Sequence, residues 1–150
     1  MKKLGEAGAL IPVKIHIQSV IQQEAGQEPE VIEQDLVGKF EAKANGEWTL
    51  KYKEHEGTVE EVFTSVRSHQ DHVTISRQGP VSYRQTYWPG KKVESIVHTP
   101  AGKTEMEVKT LSYRRGRAET GGEIAFSFEL TMGTQELGKY QLSLKWMEDE

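Results

Sequence analysis

Ile124-Ala125-Phe126-Ser127-Phe128-Glu129-Leu130-Thr131-Met132 decides the architecture of this chain. Large apolar side chains stand at every second position, with small or polar residues between them. That is the period of a strand whose two faces meet different surroundings, not the 3.6-residue period of a helix. The same alternation closes the chain, where Tyr140, Leu142, Leu144 and Trp146 interleave with Gln141, Ser143 and Lys145. Val13, Ile15 and Ile17 open the domain in the same way. Further strand candidates cover 30–42, 47–54, 58–69, 72–78, 81–88, 92–99 and 103–113. No segment carries a helical apolar pattern over about eleven residues. The chain therefore reads as a succession of half-buried strands, about 8–10 in all, each turning a polar face to water.

Short links between sequential strands favour antiparallel meander pairing, and a long meander removes its edges by closing on itself. The expected fold is all-β, an antiparallel up-and-down barrel spanning residues 12–147. Residues 1–11 are expected to be a flexible leader and 148–150 an acidic, frayed end. Several links carry turn chemistry. Trp88-Pro89-Gly90-Lys91 suits a type II turn, and Thr99-Pro100-Ala101-Gly102 a type I turn, because Ala101 resists positive φ. Gly133 is placed to open another tight turn. Asn45-Gly46 suits a two-residue primed turn, but that turn would set Trp48, Leu50 and Tyr52 opposite Lys43, Glu41 and Lys39, out of phase with Phe40. Either a bulge restores the phase, with Gly38 a candidate, or these residues lie outside. At the next hairpin, apolar parity puts Val73, Ile75 and Arg77 on one face with Val81, Tyr83, Gln85 and Tyr87. That requires an odd-length loop such as Gln78-Gly79-Pro80.

Composition bounds the rest. The 150 residues fit one domain, with 35% apolar content and a net charge of −4. No apolar run approaches the length of a membrane helix, and Gly5-Glu6-Ala7-Gly8 interrupts any signal-peptide core after Met1-Lys2-Lys3. With no cysteine there is no disulfide framework, thiol nucleophile or thiolate metal site, and a reducing cytoplasmic location is permitted.

The order of these strands and the segment Arg77-Gln78-Gly79-Pro80-Val81 resemble the YwiB-like family of small bacterial proteins, a domain of unknown function assigned a calycin-type, lipocalin-like β-barrel. The resemblance runs from Val13 to Trp146. It rests on Val13-Lys14-Ile15, the Asn45-Gly46 hairpin, the Arg77-x-Gly79-x-Val81 turn and the Gly121-Gly122 link before the Ile124 strand. It implies a barrel able to hold a small ligand in its interior or mouth, and it transfers no catalytic residue.

Among the residues themselves, Arg77 is the leading ligand-binding candidate. It continues an apolar face and so points inward, where a guanidinium requires a carboxylate, a phosphate or a set of carbonyls. It serves either as an anion anchor or as a structural tie to turn carbonyls or a neighbouring acid, and structural ties are the commoner case. Tyr83, Gln85 and Tyr87 share its face, as further ligand contacts or as barrel filling. His69 and His72 straddle a turn without a third ligand at fixed spacing, which argues against a metal site. Glu105 and Glu107 share one strand face about 7 Å apart, but Met106 and Val108 take the apolar face, so these glutamates are expected in solvent. Arg114-Arg115-Gly116-Arg117 reads as a charged link between strands.

No nucleophile elbow, phosphate loop or dinucleotide fingerprint is present, so enzyme chemistry is disfavoured and no cofactor is implied. Residues 62–118 carry ten basic against four acidic side chains (+6), and the remainder nine against nineteen (−10). Neighbouring strands in a meander would gather these into a positive and a negative side. Nucleic acid is not expected, because the net balance is acidic and no aromatic-basic stacking motif occurs. The sequence thus points to a binding barrel for a small anionic or amphipathic ligand. The alternative is a protein-interaction module that uses its outer basic face.

Overall fold

The computed structural model describes residues 8, 10–23 and 26–149. The strands are β1 (Leu10–Gln22), β2 (Glu30–Ala42), β3 (Trp48–Glu54), β4 (Val62–Ser68), β5 (Val73–Gln78), β6 (Tyr83–Tyr87), β7 (Lys92–Thr99), β8 (Gly102–Arg117), β9 (Gly121–Met132) and β10 (Gln135–Glu148). All pairings are antiparallel, and the order round the sheet is β6-β5-β4-β3-β2-β1-β10-β9-β8-β7. Each strand neighbours its sequence neighbour, and β1 pairs with β10 from Val13↔Glu148 to Gln22↔Lys139. The result is a nearly closed up-and-down barrel, as the alternation predicts. First and last strands are thus joined, and the open interval lies between β6 and β7, bridged in backbone only by Ser82 and His98 among the described residues.

Inward positions form one continuous core. Val13, Phe40, Leu50, Val66, Val73, Val108, Ile124 and Leu144 are fully excluded from water. With half of each strand facing out, a low apolar content suffices for such a wall.

The Asn45-Gly46 hairpin resolves the phase conflict at the turn itself. Gly46 N bonds to Lys43 O at 3.0 Å and Lys43 N to Glu47 O at 2.8 Å, with Gly46 at φ +85°. This is a type I turn followed by a glycine bulge, not a primed two-residue turn. The extra residue sets Phe40 opposite Leu50 and Ala42 opposite Trp48, so Leu50 and Tyr52 are buried inside and Trp48 packs on the core. Val73↔Tyr87, Ile75↔Gln85 and Arg77↔Tyr83 match the parity expected for β5 and β6. Their loop is longer than Gln78-Gly79-Pro80, because Val81 and Ser82 also leave the ladder and Val81 is exposed.

Other boundaries shift too. β1 begins at Leu10, Ile11 is buried, and Gly8 N bonds to Ala42 O, so the wall starts within the segment expected to be a leader. Residues 1–7 and 9 of that segment lie outside the described residues. At the other end Glu148 belongs to β10, and Asp149 N bonds to Pro12 O at 2.9 Å, so residues 148 and 149 are tied down. Glu150 lies outside the described residues. The basic cluster at 114–117 is strand, not link, because β8 runs on to Arg117.

Candidate functional site

The two ends of the barrel differ. The even-to-odd connections (β2–β3, β4–β5, β6–β7 and β8–β9) lie at one end with the start of β1 and the end of β10, and aromatic rings seal it. Phe40 stacks on Trp146 at 5.2 Å, and Trp48 meets Trp146 edge-on at 5.7 Å. Arg115 lies 4.1 Å over Trp48 and donates to Gly46 O and Ser68 O. Tyr113 Oη donates to His69 O and is hydrogen-bonded to Ser68 Oγ, each at 2.5 Å. The basic cluster therefore caps the barrel, with Arg114 paired to Glu123 outside.

The opposite end is open. A cavity of about 390 Å³ enters the interior there, within the range of small-ligand sites. Its wall is two-sided in chemistry. Phe128, Leu130, Met132, Tyr140 and Leu142 on β9 and β10 make an apolar side with Ile17 of β1. Across from them Tyr52, Glu54, Thr64, Arg77 and Tyr83 bring polar groups from β3 to β6. Alternation positions each of them: Glu54, Thr64, Arg77 and Tyr83 all fall on inward parity, near the open end of their strands.

Arg77 thus occupies the inward, near-mouth position that its parity predicts. Its Nη2 lies 3.5 Å from Glu54 Oε1, a loose contact with a carboxylate that is itself largely shielded. Among the described residues its Nε is buried with no hydrogen-bond partner, and so is Thr64 Oγ1 on the same wall. Burial works against the Arg77 charge, but the Tyr83 hydroxyl and Glu54 carboxylate outweigh it and hold the guanidinium more firmly protonated than usual. Burial also pushes the hydroxyls of Tyr52 and Tyr87 up, so both stay neutral.

Of the residues expected at the site, Arg77, Tyr83 and Tyr87 line the cavity together. Gln85 does not. It is fully buried, donates from Nε2 to Thr86 O and Val93 O, and accepts from Ser95 Oγ, so its amide is committed to the β6/β7 interval. Its parity was readable, but its partners on the next strand were not. Glu54 and Thr64 were missed, and their inward parity beside Tyr52 and Val66 was the available signal.

The remaining candidates are elsewhere. His69 and His72 stack at 4.3 Å, and His72 stacks on Trp88 at 4.4 Å, at the capped end. No group of metal-ligating side chains forms among the described residues. Glu105 is exposed and Glu107 faces Lys92 on the outer wall, the solvent placement expected. Among the described residues no helix is long and apolar enough to cross a membrane.

Fold and site together define a small up-and-down β-barrel with one aromatic-capped end and one open, two-sided cavity. The chain belongs to the family described as domain of unknown function DUF1934, whose model matches residues 15–144. It is similar to the uncharacterized beta-barrel protein YwiB of Bacillus subtilis (strain 168), with 24% identity over 135 residues, 90% of this chain and 92% of that one. The crystal structure of ywiB protein from Bacillus subtilis superposes with a TM-score of 0.79 and 23% identity over 94% of each chain. The family resemblance carried by the Arg77 turn and the strand order is thus borne out.

Proposed function

We propose that the barrel binds a small amphipathic ligand in its open-end cavity, with the ligand's acceptor-bearing head on Arg77 and its apolar body against Phe128, Leu130 and Met132. The observation that carries this reading is the pair of buried, unpartnered polar atoms, Arg77 Nε and Thr64 Oγ1, on one wall of the cavity. Buried polar atoms are normally satisfied by protein or ordered water, so an orphaned pair on a cavity wall is a place where a polar group of a guest can replace water. Glu54 offsets part of the Arg77 charge. A carbonyl or hydroxyl head therefore fits alongside the anionic head that a bare guanidinium would select. Tyr83 adds a hydroxyl at the mouth, whereas Gln85 takes no part.

Fluorescence titration with two amphipathic naphthalene probes tests it, one anionic (1-anilinonaphthalene-8-sulfonate) and one neutral (N-phenyl-1-naphthylamine). Both should bind the folded protein, and Leu130→Trp, which fills the cavity, should abolish both. Arg77→Met should weaken the anionic probe by about 10- to 100-fold, the worth of a charge-assisted hydrogen bond. Unchanged affinities in both variants, with native circular dichroism, would overturn the reading.

A second reading is the interaction module. Residues 62–118 supply the strands from β4 to β8, which follow one another round the ring apart from the β6/β7 interval, so their outward basic side chains, Arg84, Lys92, Lys103 and Lys109 among them, share one side. Arg77 instead lines the cavity, and Arg115 caps the barrel. Charge reversal at Arg84, Lys91 and Lys92 together should then abolish partner capture, and retained partners would remove this reading.

A further inference from the structure

We propose that the outer face of β10, β1, β2 and β3, with the start of β4, is a docking groove for an acidic peptide segment that carries apolar anchors. The proposal is independent of the interior cavity and of the basic 62–118 face.

The register builds the groove. Met147 pairs with Lys14, Lys14 with Val37, and Lys53 with Phe63. Apolar and cationic side chains therefore alternate across neighbouring strands on the outside of the barrel. Val37 is 66% and Met147 63% exposed, in a protein whose outward positions are mostly polar. Together they line an open groove of about 1130 Å³ in which Lys14, Lys39, Lys51, Lys53 and Lys145 outnumber Asp35, Glu56 and Asp149.

A second observation points to a missing anion. Lys39 and Lys51 face each other directly across β2 and β3, and among the described residues neither has an ion pair. Lys53, next along the same face, likewise makes no ion pair among them. Directly opposed like charges destabilise a sheet. Another like pair, Lys92 with Lys109, faces across β7 and β8, but there Glu107 lies 3.8 Å from Lys92 as a diagonal counter-charge. The Lys39 and Lys51 pair has no such counter-charge among the described residues, and it shares its face with the exposed Val37 and Met147.

The occupant follows from the chemistry. Carboxylates match ammonium groups on flexible stems, and aliphatic or aromatic anchors match Val37, Met147 and Phe63. This chain shows the contact in miniature: Asp149, just past β10, lies 3.8 Å from Lys14 on the rim. A nucleic-acid duplex would leave the apolar floor unused, and the rim offers it no guanidinium fork. An acidic amphipathic peptide uses both components.

Fluorescence anisotropy tests this with a synthetic peptide of alternating glutamate and leucine or phenylalanine. Saturable binding is expected, weakening as salt rises. Lys39→Glu/Lys51→Glu should cut affinity at least about tenfold, and Val37→Ser by about five- to tenfold. The single Lys51→Glu variant restores an opposite-charge pair with Lys39. It should lose peptide affinity while its Tm holds or rises, a combination that simple unfolding cannot produce. No saturation below about 1 mM peptide, equal affinity in the double variant, or tighter binding to duplex DNA or phosphatidylserine vesicles would each overturn the proposal.

Discussion

The Ser95 hydroxyl of β7 donates to the Gln85 amide oxygen of β6, across the one interval of the ring where the described strands lack a continuous backbone ladder. The same amide donates to Val93 O at 3.1 Å, so one side chain holds both a hydroxyl and a carbonyl of the facing strand. Ser82 and His98 exchange two backbone bonds, of 2.9 and 2.8 Å, farther along the interval. A buried glutamine therefore stands in for the missing rungs. It also satisfies edge groups that would otherwise template pairing with another chain.

Replacing Gln85 with Met keeps the volume and removes these bonds, leaving Val93 O and the Ser95 hydroxyl without partners. The expected loss is about 2–4 kcal/mol. Native-state hydrogen exchange should accelerate first in β6 and β7. An unchanged Tm, or acceleration spread evenly over all strands, would show that other contacts hold the interval.

Gly122 should tolerate no side chain. A Cβ there would sit 2.5 Å from Trp146 Cζ2 and 2.8 Å from Cη2. Trp146 is buried against Phe40 and Trp48 and cannot swing aside. Gly122→Ala should cost about 1–3 kcal/mol by overpacking. Adding Trp146→Phe should recover part of that cost, because the two positions couple. Denaturant melts of the single and double variants measure the coupling, and strict additivity would place the clash elsewhere.

Gly46 presents the opposite case. Its φ is +85°, yet a Cβ at this position would meet nothing within 4 Å, so backbone strain alone opposes substitution. Gly46→Ala should cost about 1–2 kcal/mol, and Gly46→Asn less, because Asn tolerates the left-handed region. Thermal melts of the two variants compare them directly, and equal losses for Ala and Asn would contradict this account of the turn.

The barrel was legible because a two-residue period survives any error in loop length. Val73, Ile75 and Arg77 keep the company of Tyr83, Gln85 and Tyr87 whether their loop has three residues or five. The Asn45-Gly46 hairpin was not legible, because that dipeptide serves both a primed turn and a type I turn with a bulge. The choice falls to Phe40, Trp48 and Trp146, which must meet at one end of the barrel. The opposition of Lys39 and Lys51 depends on that same turn and was hidden with it. The Arg77 contact with Glu54 spans strands that are not sequence neighbours, and parity names the face but not the partner. Gln85 looked like a ligand contact for a related reason: nothing local shows that the ladder breaks between β6 and β7.

Acid should loosen the capped end through His69 and Glu47, whose side chains approach to 3.3 Å. Burial lowers the His69 pKa below its ordinary 6.5, helped by the positive charges of His72, Arg115 and Arg67 and opposed by Glu47. Below that value the unfolded chain takes up protons more readily than the folded one, so His69 contributes stability above 6.5 that is lost as pH falls. Glu47 extends the loss. Burial pushes its carboxyl up, but the Lys43 hydrogen bond and the charges of Lys43, Arg67 and His69 hold it below the ordinary 4.5, so its contribution fades below that pH. His16 acts in the opposite sense, because its hydrogen bond to Asp35, with the charges of Asp35 and Glu33, outweighs burial and raises it above 6.5. Its contribution is complete below 6.5 and fades as pH rises through the folded value. Tm measured from about pH 7.5 to about pH 5 should therefore fall less steeply in His69→Gln and more steeply in His16→Gln than in the parent protein. Parallel profiles for all three would show that neither histidine titrates differently in the folded and unfolded chains.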